Sequence, residues 1–479
     1  MKSTPRMLLF CLAFVVIANG HTAAQKKKAP APENTPPAVK IDVSKPAKAA
    51  PVTSAPAEPA SVEKDAQHEQ WRIPVEPYAI LGSGRPGKGA ADFDKPDGVA
   101  FTPNGLLLAT DAKNRRVQVW DVKTKTHLSE FGHGIFGGEI VDIAVAPSGL
   151  VLVTDQTLNL AYAFVPPSPE AKAGKEGKAL GPYDYQFKGT RFGEQGFDKL
   201  GGIAADSRGR IYAVDAHLND VRRFQADGTV DASWKFEKAR ANGDTYLHGC
   251  EGIAIDETRG NLFIASEKDA VIQVFDWETG AYKGKLLGAQ LGADGKPAGA
   301  RIFAGSVEGL TLAGKYLLAV DESVGHIQIF DVTAPNAFNT DLSGYTRGRA
   351  NGYLGFFGHT AQVDFEDKTN KLLQQQVKDG AVIPGQANPP GYFCSPDSIA
   401  SYTDKESGET YVAVADQCNY RLAVYRWSDI SNAISKALTK APAVAGAAKS
   451  PALATTGKKN DAATTDGHVA KKKGKKHHQ

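Results

Sequence analysis

The chain has 479 residues and carries 56 Lys and Arg against 53 Asp and Glu, a net charge of +3 that leans on its two ends. That balance, with no nucleic-acid-binding motif in view, excludes a basic nucleic-acid-binding domain. Length alone would suggest more than one domain, but the repeats described below argue for a single closed one.

Residues 1–24 open with Lys2 and Arg6, continue through an apolar run at 7–18, and close on small residues up to Ala23 and Ala24. This is the pattern of a signal peptide, and the run is too short to span a bilayer. The expectation is cleavage and export to the periplasm or outside, with no transmembrane segment left; an uncleaved anchor is the alternative. Residues 25–68 form an Ala/Pro/Lys-rich linker without aromatics or periodicity, which buries too little apolar surface to fold.

Residues 92–121 contain three apolar runs, at 99–101, 106–109 and 117–120, separated by Pro103, Asn104 and Gly105 and then by residues 111–115. Short runs broken by such residues read as strand, turn, strand, turn, strand. Related units recur at 140–164, 199–224, 249–276, 306–331 and 394–427, six in all. A repeat of about 40 residues or more built only of strands points to a propeller. Five units are followed by a further strand ending in an aromatic or apolar residue, at 127–132, 187–193, 233–236, 284–288 and 353–358. The sixth has none, and 78–82 would supply it from the start of the domain, sealing the ring. The predicted fold is therefore all-β, a six-bladed β-propeller over 70–440 with an N-terminal strand closing the last blade.

After the last strand, Ser428 caps a short helix with Ile430, Ile434 and Leu438 at helical spacing. Residues 441–479 form a basic tail without apolar periodicity, solvated or attached to a polyanionic envelope. Of four cysteines, Cys11 lies in the signal sequence. Cys394 and Cys418 fall in two loops on one face of one blade, so an oxidising compartment would let them pair and leave Cys250 free.

Two polar rows follow from the topology. Aligning the units places Asp97, Asp142, Gly201, Glu251, Glu308 and Asp397 at the opening of each innermost strand, converging on the mouth of the central channel. Carboxylates this close repel unless a cation lies among them, and hard oxygen ligands favour Ca²⁺ or Mg²⁺ over zinc. The second row, Asp111, Asp155, Asp215, Ser266, Asp321 and Asp416, ends strand two of each blade and reads as turn capping. His217, His248 and His326 fall in loops on the same face, from different blades and without zinc-ligand spacing. No nucleophile elbow or Gly-rich phosphate loop stands out.

The first unit, with Pro-Asp-Gly-Val at 96–99, Asp111 to Asn114 and Arg116-Val117, resembles an NHL repeat. The last three units are more similar to the β-propeller phytases, calcium-dependent six-bladed enzymes that hydrolyse phosphate monoesters of inositol phosphates. Glu251-Gly252, the 256–270 stretch, Val307 to Thr311 and Pro396-Asp397-Ser398 carry that likeness. The resemblance implies Glu251, Glu267, Glu308 and Asp397 as Ca²⁺ ligands, with Lys or Arg holding phosphate. Lys95, Lys113, Arg115 and Lys199 are the candidates within reach. The family's N-terminal Asp-Asp-Pro-Ala motif is absent, and its phosphate-holding half falls where this chain looks like NHL repeats. Two functions are thus expected to compete: a phytase-type phosphomonoesterase acting on a small phosphorylated substrate, and a non-catalytic propeller binding a protein, peptide or glycan on its top face. A calcium-dependent lactonase is a third. Lys or Arg beside the carboxylates would discriminate the first two, because a bare carboxylate ring repels phosphate.

Overall fold

A computed structural model describes residues 71–167, 181–193, 196–286, 289–291, 297–334, 337–338 and 352–440. The expected signal peptide, linker and basic tail lie outside the described residues.

Six antiparallel sheets follow one another along the chain. Blade one is Pro96–Phe101, Leu106–Asp111, Arg116–Asp121 and Thr126–Phe131, and blade two is Ile140–Val145, Val151–Asp155, Leu160–Val165 and Gln186–Phe192. Blade three has Leu200–Ala205, Ile211–Asp215 and Asp220–Phe224; blade four has Cys250–Asp256, Asn261–Ser266, Val271–Asp276 and Tyr282–Leu286. Blade five is Val307–Ala313, Tyr316–Asp321, His326–Asp331 and Tyr353–Phe357, and blade six is Pro396–Thr403, Thr410–Asp416 and Arg421–Arg426. Each innermost strand packs on the next, and the sixth returns to the first, so the sheets close into a ring.

The seal comes from Ala79–Leu81, whose residues pair antiparallel with Val424, Ala423 and Leu422 and become the fourth strand of blade six. Alternation places Ala79 and Leu81 in the apolar layer between blades six and one, with Val99, Leu107, Trp120 and Ala413. Similar apolar layers fill every seam, because the middle strands of a blade are covered on both faces, as in Val151–Asp155, which is buried at every position.

One expected strand is absent. Blade three has three strands, and 233–236 does not pair into its ladder. The Asp231 carboxylate accepts the Ser233 N–H (3.1 Å), the Ser233 hydroxyl (2.5 Å) and Arg223 Nε (2.8 Å), which bends the chain into a turn. Trp234 then packs edge-on against Tyr212, and Phe236 against Phe275 of blade four, so the aromatics still bury themselves outside the ladder.

Before blade six the chain builds a small cap on the top face: helix Lys371–Lys378, the short helix Pro384–Ala387, and a parallel pairing of His359–Thr360 with Tyr392–Phe393. Phe365, Leu373 and Val377 pack around Cys394 and Cys418, which form a disulfide with their Cα atoms 5.2 Å apart. Cys250 is free and buried. The terminal helix spans Trp427–Lys440 and starts one residue before the expected cap. Glu409 takes over that role, accepting both the backbone N–H and the hydroxyl of Ser428.

Candidate functional site

The geometry of the mouth follows from a bulge that opens every innermost strand. In blade one Pro96 pairs with Asp111 and Val99 with Ala109, leaving an extra residue between them, and the same shift recurs in the other five blades. The bulge frees the second residue of each strand to turn toward the channel. By register those residues are Asp97, Val141, Gly201, Glu251, Glu308 and Asp397, so the row is acidic at four positions, from blades four, five, six and one.

Asp142 is a correction to the aligned row. Ile140 pairs with Asp155 and Ile143 with Val153, which puts Asp142 one step on, where blades one, three, four and five carry Gly98, Gly202, Gly252 and Gly309. Its two oxygens accept the Ile143 and Ile203 N–H groups, each at 2.8 Å, tying blade two to blade three. Burial holds its pKa up at about 7. The glycines are there for room: a Cβ on Gly252 would sit 2.1 Å from the Glu308 carbonyl oxygen, and one on Gly202 2.1 Å from that of Glu251. We expect Gly252→Ala to cost about 3 kcal/mol by forcing two innermost strands apart, read as a lowered midpoint in urea.

A cavity of about 410 Å³ occupies the channel mouth, lined by Asp97, Glu251, Glu308 and Asp397, by Asp142 from its shifted position, and also by Glu267 and Glu322. The last two belong to a further row, the residue after each strand-two Asp or Ser: Ala112, Gln156, Ala216, Glu267, Glu322 and Gln417. Glu322 is a site residue that sequence reasoning missed, although it holds in blade five the place Glu267 holds in blade four. In blade six the amide of Gln417 donates to Asp397 Oδ2 at 3.0 Å and reaches Asp97 Oδ2 at 3.5 Å.

Two of the four candidate basic residues enter this cavity. Lys95 Nζ lies 3.2 Å from Asp97 and 2.6 Å from Glu139, and Lys199 Nζ 2.6 Å from Glu251. Lys113 and Arg115 are exposed on the strand two to three turn, outside the lining, with Lys113 3.6 Å from Asp94. From that turn Arg116 points inward instead, its Nε 2.8 Å from Asp111.

The electrostatics reflect crowding. Burial, then the neighbouring Asp397, hold Asp97 and Glu308 well above the usual carboxylate range, and Glu251 adds to the rise at Glu308. Burial raises Glu322 to about 7, with Asp397 and Glu366 adding to it. Asp397 is pushed to about 6 by burial, with Lys95 pulling the other way. Both lysines are partly buried, which disfavours their charge, yet their carboxylate partners win and raise them. Glu366, on the cap, accepts the Ser395 hydroxyl at 2.7 Å and adds another carboxylate at the rim.

The strand-two row caps as expected. Each side chain accepts a backbone N–H from the loop entering the innermost strand: Asp94, Gly138, Asp198, His248, Ala304 and Cys394, at 2.7–2.9 Å. His217 faces Asp198 and His248 faces Asp269 rather than each other. Among the described residues, three potential ligand atoms within 4.8 Å of one another occur at Asp364, Cys394 and Cys418. There the two sulfurs are already bonded together. The mouth oxygens thus share a cavity with hard-donor chemistry but are set wider than a closed chelating trio.

No family model matches the chain. A stretch of 142 residues is 27% identical to peptidyl-glycine alpha-amidating monooxygenase A of Xenopus laevis, covering 29% of this chain and 14% of that protein. Among solved structures, a protein of unknown function from Bacteroides thetaiotaomicron is similar at a TM-score of 0.44 and 15% identity, covering 72% of this chain and 73% of its own. A streptogramin B lyase is similar at 0.40 and 13%, covering 70% and 93%. A nidogen/laminin complex follows at 0.36 and 17%, covering 50% and 76%. The strand pairing itself carries the assignment: the chain is an all-β, six-bladed propeller closed by its own N-terminal strand.

Proposed function

We propose that this is an exported propeller that binds a hard divalent cation, Ca²⁺ by donor type, at its acidic mouth and engages a ligand across that face without turning it over. The observation that supports this most is the meeting of Asp97, Glu251, Glu308 and Asp397 in one cavity where Lys95 and Lys199 are the cationic lining residues. Two unit charges about 6 Å apart repel by about 3 kcal/mol at an effective dielectric near 20, so unneutralised carboxylates here are costly and a cation relieves several pairs at once. Ca²⁺ accepts six to eight oxygens in flexible geometry. Asp97, Glu251, Glu308 and Asp397 would hold it. When bound, it supplies charge neutralisation and a Lewis-acidic centre for ligand oxygens. The bond between Cys394 and Cys418 supports an oxidising compartment, in line with the signal-like start.

Calcium-dependent hydrolysis of phosphate monoesters, inositol phosphates included, is the second reading, favoured by Lys95 and Lys199 in the same cavity. It ranks below binding because both ammonium groups are already committed to carboxylates and the remaining acids repel phosphate. Calorimetric titration with Ca²⁺ tests the site. Wild-type protein is expected to bind, and Glu308→Gln to bind roughly tenfold or more weakly, a loss of about 1.4 kcal/mol or more. Phosphate release from inositol hexakisphosphate that needs calcium and stops with chelator would promote the second reading, and no Ca²⁺ binding by the wild type would remove both.

A further inference from the structure

Blades one, four and five carry a glutamine at the third position of strand three: Gln118, Gln273 and Gln328. Each donates its Nε2–H to a carbonyl of the loop entering the innermost strand, on Asp92, Tyr246 and Ile302, at 2.6–2.9 Å. In blades four and five its Oε1 also accepts a tyrosine hydroxyl from strand four, Tyr282 at 3.1 Å and Tyr353 at 2.8 Å. The glutamine thus fastens the outermost strand to the inner loop. Blade one lacks that hydroxyl: where Phe275 faces Tyr282 and Phe330 faces Tyr353, Trp120 faces His127.

Among the described residues, three buried polar atoms of blade one have no partner: Gln118 Oε1, Trp120 Nε1 and His127 Nε2. Gln118 is 0% exposed and Trp120 3%. The three share one layer. Gln118 and Trp120 alternate onto the same face of their strand, and the imidazole meets the indole edge-on with ring centroids 5.1 Å apart, as Tyr282 meets Phe275 at 5.4 Å. Flipping the Gln118 amide does not help, because Nε2 also donates to Asp111 Oδ2 at 3.1 Å and a reversed amide would set its oxygen against two acceptors. We infer that an ordered water is bound in this joint, bridging Gln118 Oε1 and His127 Nε2 and accepting from the Trp120 N–H, in the place of the tyrosine hydroxyl of blades four and five.

Reach and chemistry both select water. A tyrosine hydroxyl extends about 2 Å beyond an imidazole Nε2 on the same Cβ, so histidine leaves about two hydrogen-bond lengths to the glutamine, the span one water bridges. Gln118 Oε1 needs a donor and Trp120 Nε1 needs an acceptor. Burial lowers the His127 pKa against the pull of Glu130, so its ring is neutral near pH 7 and Nε2 takes a partner of either kind. A cation cannot accept from an indole N–H, and an anion cannot donate to an amide oxygen. Water does both, and three polar partners are what a buried water ordinarily has. The joint is independent of whatever the channel mouth binds.

A crystal structure of the full chain, fine enough to place waters, is expected to show one density peak at about 2.7–3.2 Å from both Gln118 Oε1 and His127 Nε2. His127→Tyr should remove that peak, set its own hydroxyl on Gln118 and raise Tm by roughly 2 °C, since the bond persists while the water is released. His127→Phe should lose both the peak and the bond, and lower Tm by a similar amount. Wild-type density without the peak, with Gln118 or His127 turned onto a protein partner instead, overturns the inference. So does a peak ringed by oxygens at about 2.4 Å, the mark of a cation. A His127→Tyr protein that melts lower while the wild-type peak is present shows that the larger ring overpacks the seam, and the water then stands on the density.

Discussion

Replacing Arg421 with Met is expected to destabilise the propeller by about 3–5 kcal/mol, because it strands a buried carboxylate and a set of carbonyls at once. Arg421 is 1% exposed. Its Nε donates to Asp416 Oδ2 at 2.7 Å, and its two terminal nitrogens donate to the carbonyls of Gly385, Asn388, Pro389 and Tyr392 at 2.7–3.1 Å. Water cannot reach most of these acceptors once the guanidinium is gone. Arg421→Lys keeps the charge but offers one nitrogen in place of a planar fork, so it should recover only part of the loss. Thermal unfolding gives the overall effect, roughly 5 °C in Tm for a chain of this size. Limited proteolysis gives the local one: the four carbonyls anchor the cap, so cleavage within 359–393 should accelerate before global unfolding. Unchanged melting and unchanged cleavage would show that the clamp carries no net energy. The matching residue in blade one, Arg116, binds Asp111 and the carbonyls of Lys88, Gly89 and Asp92, and the same change there should act on the 82–93 loop.

The second large effect is a stability that falls as pH rises when calcium is withheld. Asp142 and Glu322 sit near 7 and Asp397 near 6 in the folded protein, with burial the leading cause for each. An acid whose pKa is raised on folding binds more protons folded than unfolded. Its favourable contribution is complete below its unfolded value, near 4, and disappears as pH climbs through the folded one. With chelator present, Tm should therefore decline between about pH 5 and pH 8, by roughly 5 °C for several such groups together. Saturating Ca²⁺ should flatten the decline, since the ion stabilises the ionised carboxylates it binds. A Tm that stays level or rises over that range in chelator would show that the mouth carboxylates ionise freely and need no counter-charge.

The repeats and the closing strand were legible because each strand is short, apolar on its buried positions and fenced by Asn, Asp, Gly or Pro. Register was not. A bulge adds a residue without disturbing the apolar pattern, so Val141 and Asp142 could slide by one, and only the pairing of Ile140 and Ile143 fixes them. The stretch 233–236 alternates as a strand would, but a local bond from Asp231 to Ser233 outcompetes the ladder. Glu322 escaped notice because its row contains Ala, Gln and Glu in equal measure and so has no common chemistry to align. Lys113 and Arg115 could not be told from Arg116 within one turn, where a single step decides between solvent and core.

The strap at Ala79–Leu81 has a consequence for how the molecule comes to be. It belongs to the first part of the domain to be synthesised, yet its partners, Leu422, Ala423 and Val424, belong to the last. Joining them closes a loop of more than three hundred residues, the kind of long-range pairing that slows folding and comes late. Until the final sheet has emerged, the ring stays open, so the propeller cannot seal on a partly made chain.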